Sequence, residues 1–92
     1  NILETNKKII IDFTASWCGP CQRIGPVFTE LSERNPHIIC IKIDVDKNQD
    51  VAEKFKVKGV PTFVLFKNGE IIWRQSGGMT LQTLKDKITP HI

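Results

Sequence analysis

Unbroken apolar runs alternate with amphipathic stretches along this 92-residue chain. Ile9-Ile10-Ile11-Asp12-Phe13-Thr14 is apolar on both faces and rich in β-branched residues, the pattern of a central strand covered by helices on each side. Ala15-Ser16-Trp17 reads as a turn. From Cys18 the period becomes helical, with Ile24, Val27, Phe28 and Leu31 at i, i+3, i+4 and i+7. Pro26 interrupts this stripe and is expected to kink the helix, because it removes a backbone donor and crowds the preceding turn. Asn35-Pro36 ends it. Ile38–Asp44 predicts a second strand; Val51, Ala52 and Phe55 predict a short helix capped by Asn48 or Asp50. Thr62–Phe66 predicts a third strand, Asn68-Gly69 a tight hairpin and Ile71–Arg74 the returning fourth strand. Gly77-Gly78 break the pattern before Thr80, which caps a last helix with Leu81, Leu84 and Ile88 on its apolar face. Asn1–Asn6 reads as the tail of a helix or a frayed lead-in.

This order of elements predicts an α/β fold, a central mixed sheet of about four strands flanked by three helices, with a right-handed first crossover. The length suits a single domain over residues 1–92, without repeats or linkers. A domain of this size has little stability to spare. Thirteen Lys and Arg against ten Asp and Glu give a net charge of +3, but the basic residues are dispersed. A dense basic stripe with exposed aromatics is absent, so nucleic acid is not an expected partner. No apolar run approaches the roughly 20 residues of a membrane span, and the N-terminus lacks a secretory pattern. The three cysteines are an odd number, unsuited to a closed disulfide framework, which favours a reducing compartment, the cytoplasm or an organelle reached by a cleaved targeting segment.

The chemistry concentrates at Trp17-Cys18-Gly19-Pro20-Cys21. Two thiols three residues apart at a helix start share one face and can close a disulfide. Gly19 leaves room for a partner sulfur, and Pro20 is tolerated where an amide would lack an intrahelical acceptor. The unpaired N–H groups of the first turn favour the thiolate, the reactive form. A structural disulfide or half of a zinc site are the alternatives. The loop is too short to constrain the unfolded chain much, and only Cys40, His37 and His91 remain as further ligands.

Asp12 lies inside an apolar strand, where burial should raise its pKa and suit it to proton transfer near neutral pH; a purely structural buried Asp is the alternative. Lys42, if it faces inward on the neighbouring strand, could pair with Asp12, although a strand lysine more often faces solvent. Cys40, among isoleucines, reads as a buried and inert thiol. Pro61 after Val60 would ordinarily mark only the start of a strand, and Gly77-Gly78 a turn requiring positive φ.

Asp12–Cys21, Pro26, Lys42-Ile43-Asp44, Gly59-Val60-Pro61-Thr62, Phe66-Lys67-Asn68-Gly69 and Gly78, taken in order over nearly the whole chain, resemble the thioredoxin family. The resemblance implies a protein-disulfide reductase that binds no cofactor and is recharged by an NADPH-dependent thioredoxin reductase. It implies Cys18 as attacking thiolate and Cys21 as resolving thiol, with Asp12 moving the proton and Lys42 and Pro26 in support. It further implies a cis bond at Val60–Pro61, and an apolar docking face made of Trp17, Gly19, Pro20, Val60, Pro61, Gly77 and Gly78. The Gly-Pro between the cysteines matches reducing members, whereas oxidising relatives typically carry His before the second Cys.

One departure stands out. Family members usually begin with a strand and a full helix before the strand equivalent to residues 9 to 14. Without that first strand, Ile38–Asp44 is expected to be an exposed edge, inviting self-association along residues 38–44. Three functions remain distinguishable from sequence: a general reductase, an oxidase or isomerase module, and a thioredoxin-like binding module that is redox-impaired.

Overall fold

The computed structural model describes residues 8–77 and 80–91. The expected lead-in Asn1–Asn6, Gly78 and the side chain of Leu81 lie outside the described residues. Chain order gives β1 (Lys8–Thr14), α1 (Gly19–Arg34), β2 (Ile38–Asp44), α2 (Gln49–Lys54), β3 (Thr62–Lys67), β4 (Glu70–Ser76) and α3 (Leu81–Ile88), followed by a 3-10 turn at Thr89–His91.

The isoleucine run of β1 drives the assembly. Its strand order, β2-β1-β3-β4, leaves β1 parallel to β2 through the α1 crossover and antiparallel to β3. Because side chains alternate across a strand, β1 feeds two cores. Ile10 packs with Ile24, Phe28 and Leu31 of α1, Phe63 and Leu65 of β3, and Leu84 and Ile88 of α3. Ile9, Ile11 and Phe13 pack with Val64 and Phe66 on the opposite face, where Val51, Phe55 and Val57 cover them. Both faces of the strand are thereby removed from water.

Helix α1 runs through Pro26 as one element, and that proline sits on its exposed side. Cys18 is its N-cap and Asn35 its C-cap, with the Asn35 amide donating to the Leu31 carbonyl at 3.0 Å. Thr80 caps α3 as expected, its hydroxyl accepting from the Thr83 N–H at 3.1 Å. Helix α2 differs from expectation. Asn48 occupies the N-cap, but its side chain makes no capping bond there. Its amide donates instead to the Asp44 carbonyl at 3.0 Å, satisfying the last residue of β2.

The hairpin closes on Asn68 and Gly69, with φ of 55° and 79°, and β4 is longer at both ends than its apolar residues alone suggest. The register slips between Leu65 and Phe66, so that Trp73 faces Leu65 while Ile71 faces Phe66. Adjacent Ile72 and Trp73 consequently both pack against the α1–α3 core, which strict alternation forbids. From β4, the Arg74 guanidinium donates to the Phe55 carbonyl and, at 2.7 Å, to that of Lys56, whose φ of 56° ends α2. This clamp fixes the base of the loop leading to Val60.

Among the described residues β2 is an edge strand, and its side chains are mostly half-buried. Cys40 is accordingly half-buried, and burial pushes its thiol pKa up, against a smaller opposing effect of a hydrogen bond with Ser32.

Phe28 is 1% exposed and its ring lies 6.4 Å from that of Phe63. Phe28→Ala is therefore expected to cost about 3–5 kcal/mol, read as a fall in the urea midpoint at unchanged m-value.

Candidate active site

The site forms where β1 leaves the sheet. The Cys18 N–H donates to the Ala15 carbonyl at 3.1 Å, closing the turn that swings the chain into α1. The Gln22 side chain supports it, donating to the same carbonyl at 3.1 Å. Cys18 is extended (φ −90°, ψ 109°), as an N-cap residue should be, and its Sγ accepts from the Cys21 N–H at 3.2 Å. The sulfur thus takes the place usually filled by a hydroxyl or carboxylate.

Cys18 and Cys21 are joined as a disulfide, with Cα atoms 5.2 Å apart. Both are nearly buried, packed with Ala15 and against Val45 and Val60, while Gly19 and Pro20 are exposed. Shielding extends to both sulfurs in this oxidised state and is not confined to Cys21. Among the described residues no cluster of His, Cys, Asp or Glu could hold a metal ion, so the pair has no zinc partners there.

Facing the disulfide, the Val60 carbonyl oxygen lies 3.7 Å from Cys18 Sγ, and the Val60–Pro61 peptide is cis. Val60 is half-buried but Pro61 is buried, so Pro61 shapes this loop without offering much contact surface. Thr62, fully buried, donates from its hydroxyl to the Gly59 carbonyl at 2.6 Å and meets the Ser76 hydroxyl at 3.0 Å. The Gly77 N–H donates to the Pro61 carbonyl at 2.8 Å, from a residue whose φ of 102° favours glycine.

Trp17 is 69% exposed beside the disulfide. Its indole N–H donates to Asp46 Oδ2 at 2.7 Å. Asp46 is itself placed by Asp44, whose Oδ1 accepts from the Asp46 and Lys47 N–H groups. Asp46, Thr62, Ser76 and Gln22 also shape the site, beyond the residues expected from the sequence. The only available signal was Thr62 next to Pro61, since the others act across gaps in the chain.

Asp12 is 1% exposed, and its Oδ1 has no hydrogen-bond partner among the described residues. It shares its sheet face with Ile10, the face that α1 covers. Cys21 begins the same buried helical stripe as Ile24, Phe28 and Leu31. Burial raises the Asp12 pKa from 3.8 to about 6, against a smaller lowering by the Lys42 charge. Lys42 pairs with Asp12 in the strand register and reaches toward Gly25, where a Cβ would sit 3.7 Å from its Nζ. The Lys42 side chain is nonetheless exposed and, among the described residues, forms no ion pair with Asp12. With β2 at the sheet edge, the ammonium keeps its water and a buried bridge gains nothing.

A cysteine pair closed as a disulfide at the start of a helix, backed by a buried carboxylate and faced by a cis-proline loop, defines a thiol–disulfide oxidoreductase of α/β architecture. Comparison with known proteins gives the same answer. The thioredoxin family model matches residues 1–90. Thioredoxin H5 of Arabidopsis thaliana is 47% identical over 88 residues, covering 96% of this chain and 74% of that protein. Thioredoxin of Ictalurus punctatus is 46% identical, covering 94% of this chain and 81% of the relative. The thioredoxin structures of Plasmodium falciparum and Fasciola hepatica superpose with TM-scores of 0.91 and 0.90 at 37% and 38% identity. The first covers 99% of this chain and 88% of its own length, the second 97% and 85%. The chain belongs to the thioredoxin family and is a thiol–disulfide oxidoreductase.

The raised Asp12 pKa makes stability depend on pH. Below about pH 3.8 the carboxyl is protonated whether folded or unfolded, and its burial costs little. Between about pH 3.8 and 6 the unfolded chain ionises while the folded carboxyl stays protonated, so stability falls across that window and levels off above it. Asp12→Asn should therefore stabilise the protein by about 3 kcal/mol at neutral pH, with the gain vanishing towards pH 4. Thermal unfolding of both proteins across this range measures it.

Proposed function

We propose that this chain, acting as a single module over residues 1–92, reduces disulfides in other proteins through Cys18 as nucleophile and Cys21 as resolving thiol. The observation that carries these roles is the Cys21 N–H bonded to Cys18 Sγ at the start of α1. A donor and a helix N-terminus at that sulfur favour its thiolate. In the reduced protein, Cys18 Sγ attacks one sulfur of a substrate disulfide. The new S–S bond is the mixed disulfide, and the other substrate sulfur leaves as a thiolate that takes a proton from water. Cys21 then loses its proton and attacks Cys18 Sγ, releasing the second substrate thiol and leaving the Cys18–Cys21 disulfide.

Asp12 suits the role of accepting the Cys21 proton. It lies on the face of β1 covered by α1, and its pKa of about 6 lets it gain and lose a proton near neutrality. Lys42 moderates that pKa from the strand edge. Trp17, Gly19, Pro20 and Val60 are the surface for an extended substrate segment, and the Gly77 N–H holds the loop from behind. Gly78 belongs to the same reading, by resemblance alone.

Family membership supports electron supply from an NADPH-dependent thioredoxin reductase, with no cofactor bound to this chain. The odd cysteine count supports a reducing compartment, the cytoplasm or an organelle; no helix among the described residues is long and apolar enough to cross a membrane. The edge position of β2 among the described residues supports self-association along residues 38–44.

With thioredoxin reductase and NADPH, the chain is expected to reduce insulin. Cys18→Ser should abolish turnover, whereas Cys21→Ser should accumulate a covalent substrate adduct visible on a non-reducing gel. An adduct formed by Cys18→Ser and not by Cys21→Ser would reverse the two roles.

A further inference from the structure

A shallow depression of about 110 Å³ adjoins the disulfide, lined by Trp17, Val45, Val57, Lys58, Gly59 and Val60. Lys58 is the one charged side chain in that lining, and it is exposed. A second cation borders the disulfide from α1. The Arg23 guanidinium overlies Gly19, where a Cβ would sit 3.4 Å from Arg23 Nη1. The first turn of α1 carries no acidic residue.

The acids near this face are already engaged. Asp46 accepts from the Trp17 indole, and Asp44 accepts from the Asp46 and Lys47 backbone. An incoming peptide therefore meets two cations with no bound acidic partner, on two elements that flank the reactive sulfur; among the described residues the one ion pair is Arg34–Glu30, at the far end of α1.

We propose that Lys58 and Arg23 select protein substrates whose reactive cysteine is flanked within a few residues by aspartate or glutamate. This deepens the reductase reading and rests on it. The apolar depression takes the side chain next to the cysteine, and the two cations take the acids beyond it. Exposed charge pairs are individually weak, so the selectivity is a modest factor set mainly by encounter and register.

The test uses two disulfide-linked peptides identical except for Glu or Lys at the positions flanking cysteine. The intact chain should reduce the acidic peptide with a kcat/KM about 5-fold higher at about 10 mM salt, shrinking below about 2-fold at about 500 mM. K58E and R23E should each lower that ratio, and the double variant should invert it. K67E makes the same change in net charge at the hairpin end of β3, away from the site, and should leave the ratio near its original value. Equal rates for the two peptides overturn the proposal, as does a ratio that K58E and R23E leave unmoved. A ratio that K67E shifts as much as K58E also overturns it, since total charge would then be the cause. Reduction of uncharged 2-hydroxyethyl disulfide by the unmodified chain reads the reductase activity separately. Activity there with no peptide preference rejects the selectivity alone; no activity there rejects the reductase reading.

Discussion

Burial of β1 on both faces is the constraint on which the rest of this structure depends. Ile9, Ile11 and Phe13 need cover on one side and Ile10 on the other, and no single helix supplies both. Helices α1 and α3 cover one face, while α2 and the segment after it cover the second. The chain leaving β1 must then turn sharply to bring α1 back across the sheet. That turn is Ala15-Ser16-Trp17, and the helix start it creates is where the two cysteines meet. The reactive site is a consequence of how the central strand is covered.

The same burial traps Asp12. An aliphatic residue there would complete the core at lower cost, because a carboxylate with an orphaned oxygen loses its hydration without full compensation. Lys42 lies close enough to act through its charge but remains in water at the sheet edge. Desolvation wins over that attraction, and the carboxyl is poised near neutral pH. Stability is given up at this position, a relation common where a strained or desolvated group serves function, and it fits the proton-transfer role proposed for Asp12.

Opposite the disulfide, order comes from polar bonds between distant segments. Thr62 and Ser76 tie β3 to β4 beside the cis-proline loop, the Gly77 N–H holds the Pro61 carbonyl, and Arg74 anchors the end of α2 just before Val57. Asp46 holds the indole of an otherwise exposed Trp17. The proposed docking face, mostly solvent-exposed, can thus be rigid, because its backbone and its one large side chain are fixed from behind.

Local signals in the sequence determined the element order, the caps at Thr80 and Asn35, the Asn68-Gly69 hairpin and the helix-start position of Cys18 and Cys21. Those features rest on periodicity, turn chemistry and backbone donors within a few residues, all of which are written locally. The burial of Asp12 was legible too, since a lone acid in an isoleucine strand has nowhere else to go. Tertiary structure alone decided the rest. Lys42 stays exposed because β2 lies at the edge of the sheet among the described residues; Ile72 and Trp73 share a face because β3 and β4 slip register; the Asn48 side chain serves Asp44 instead of its own helix. Asp46, Thr62 and Ser76 join the site through partners 14 to 29 positions away or through a loop carbonyl. Pairings over such separations depend on which strands become neighbours, and the chain settles that only when β1 is covered.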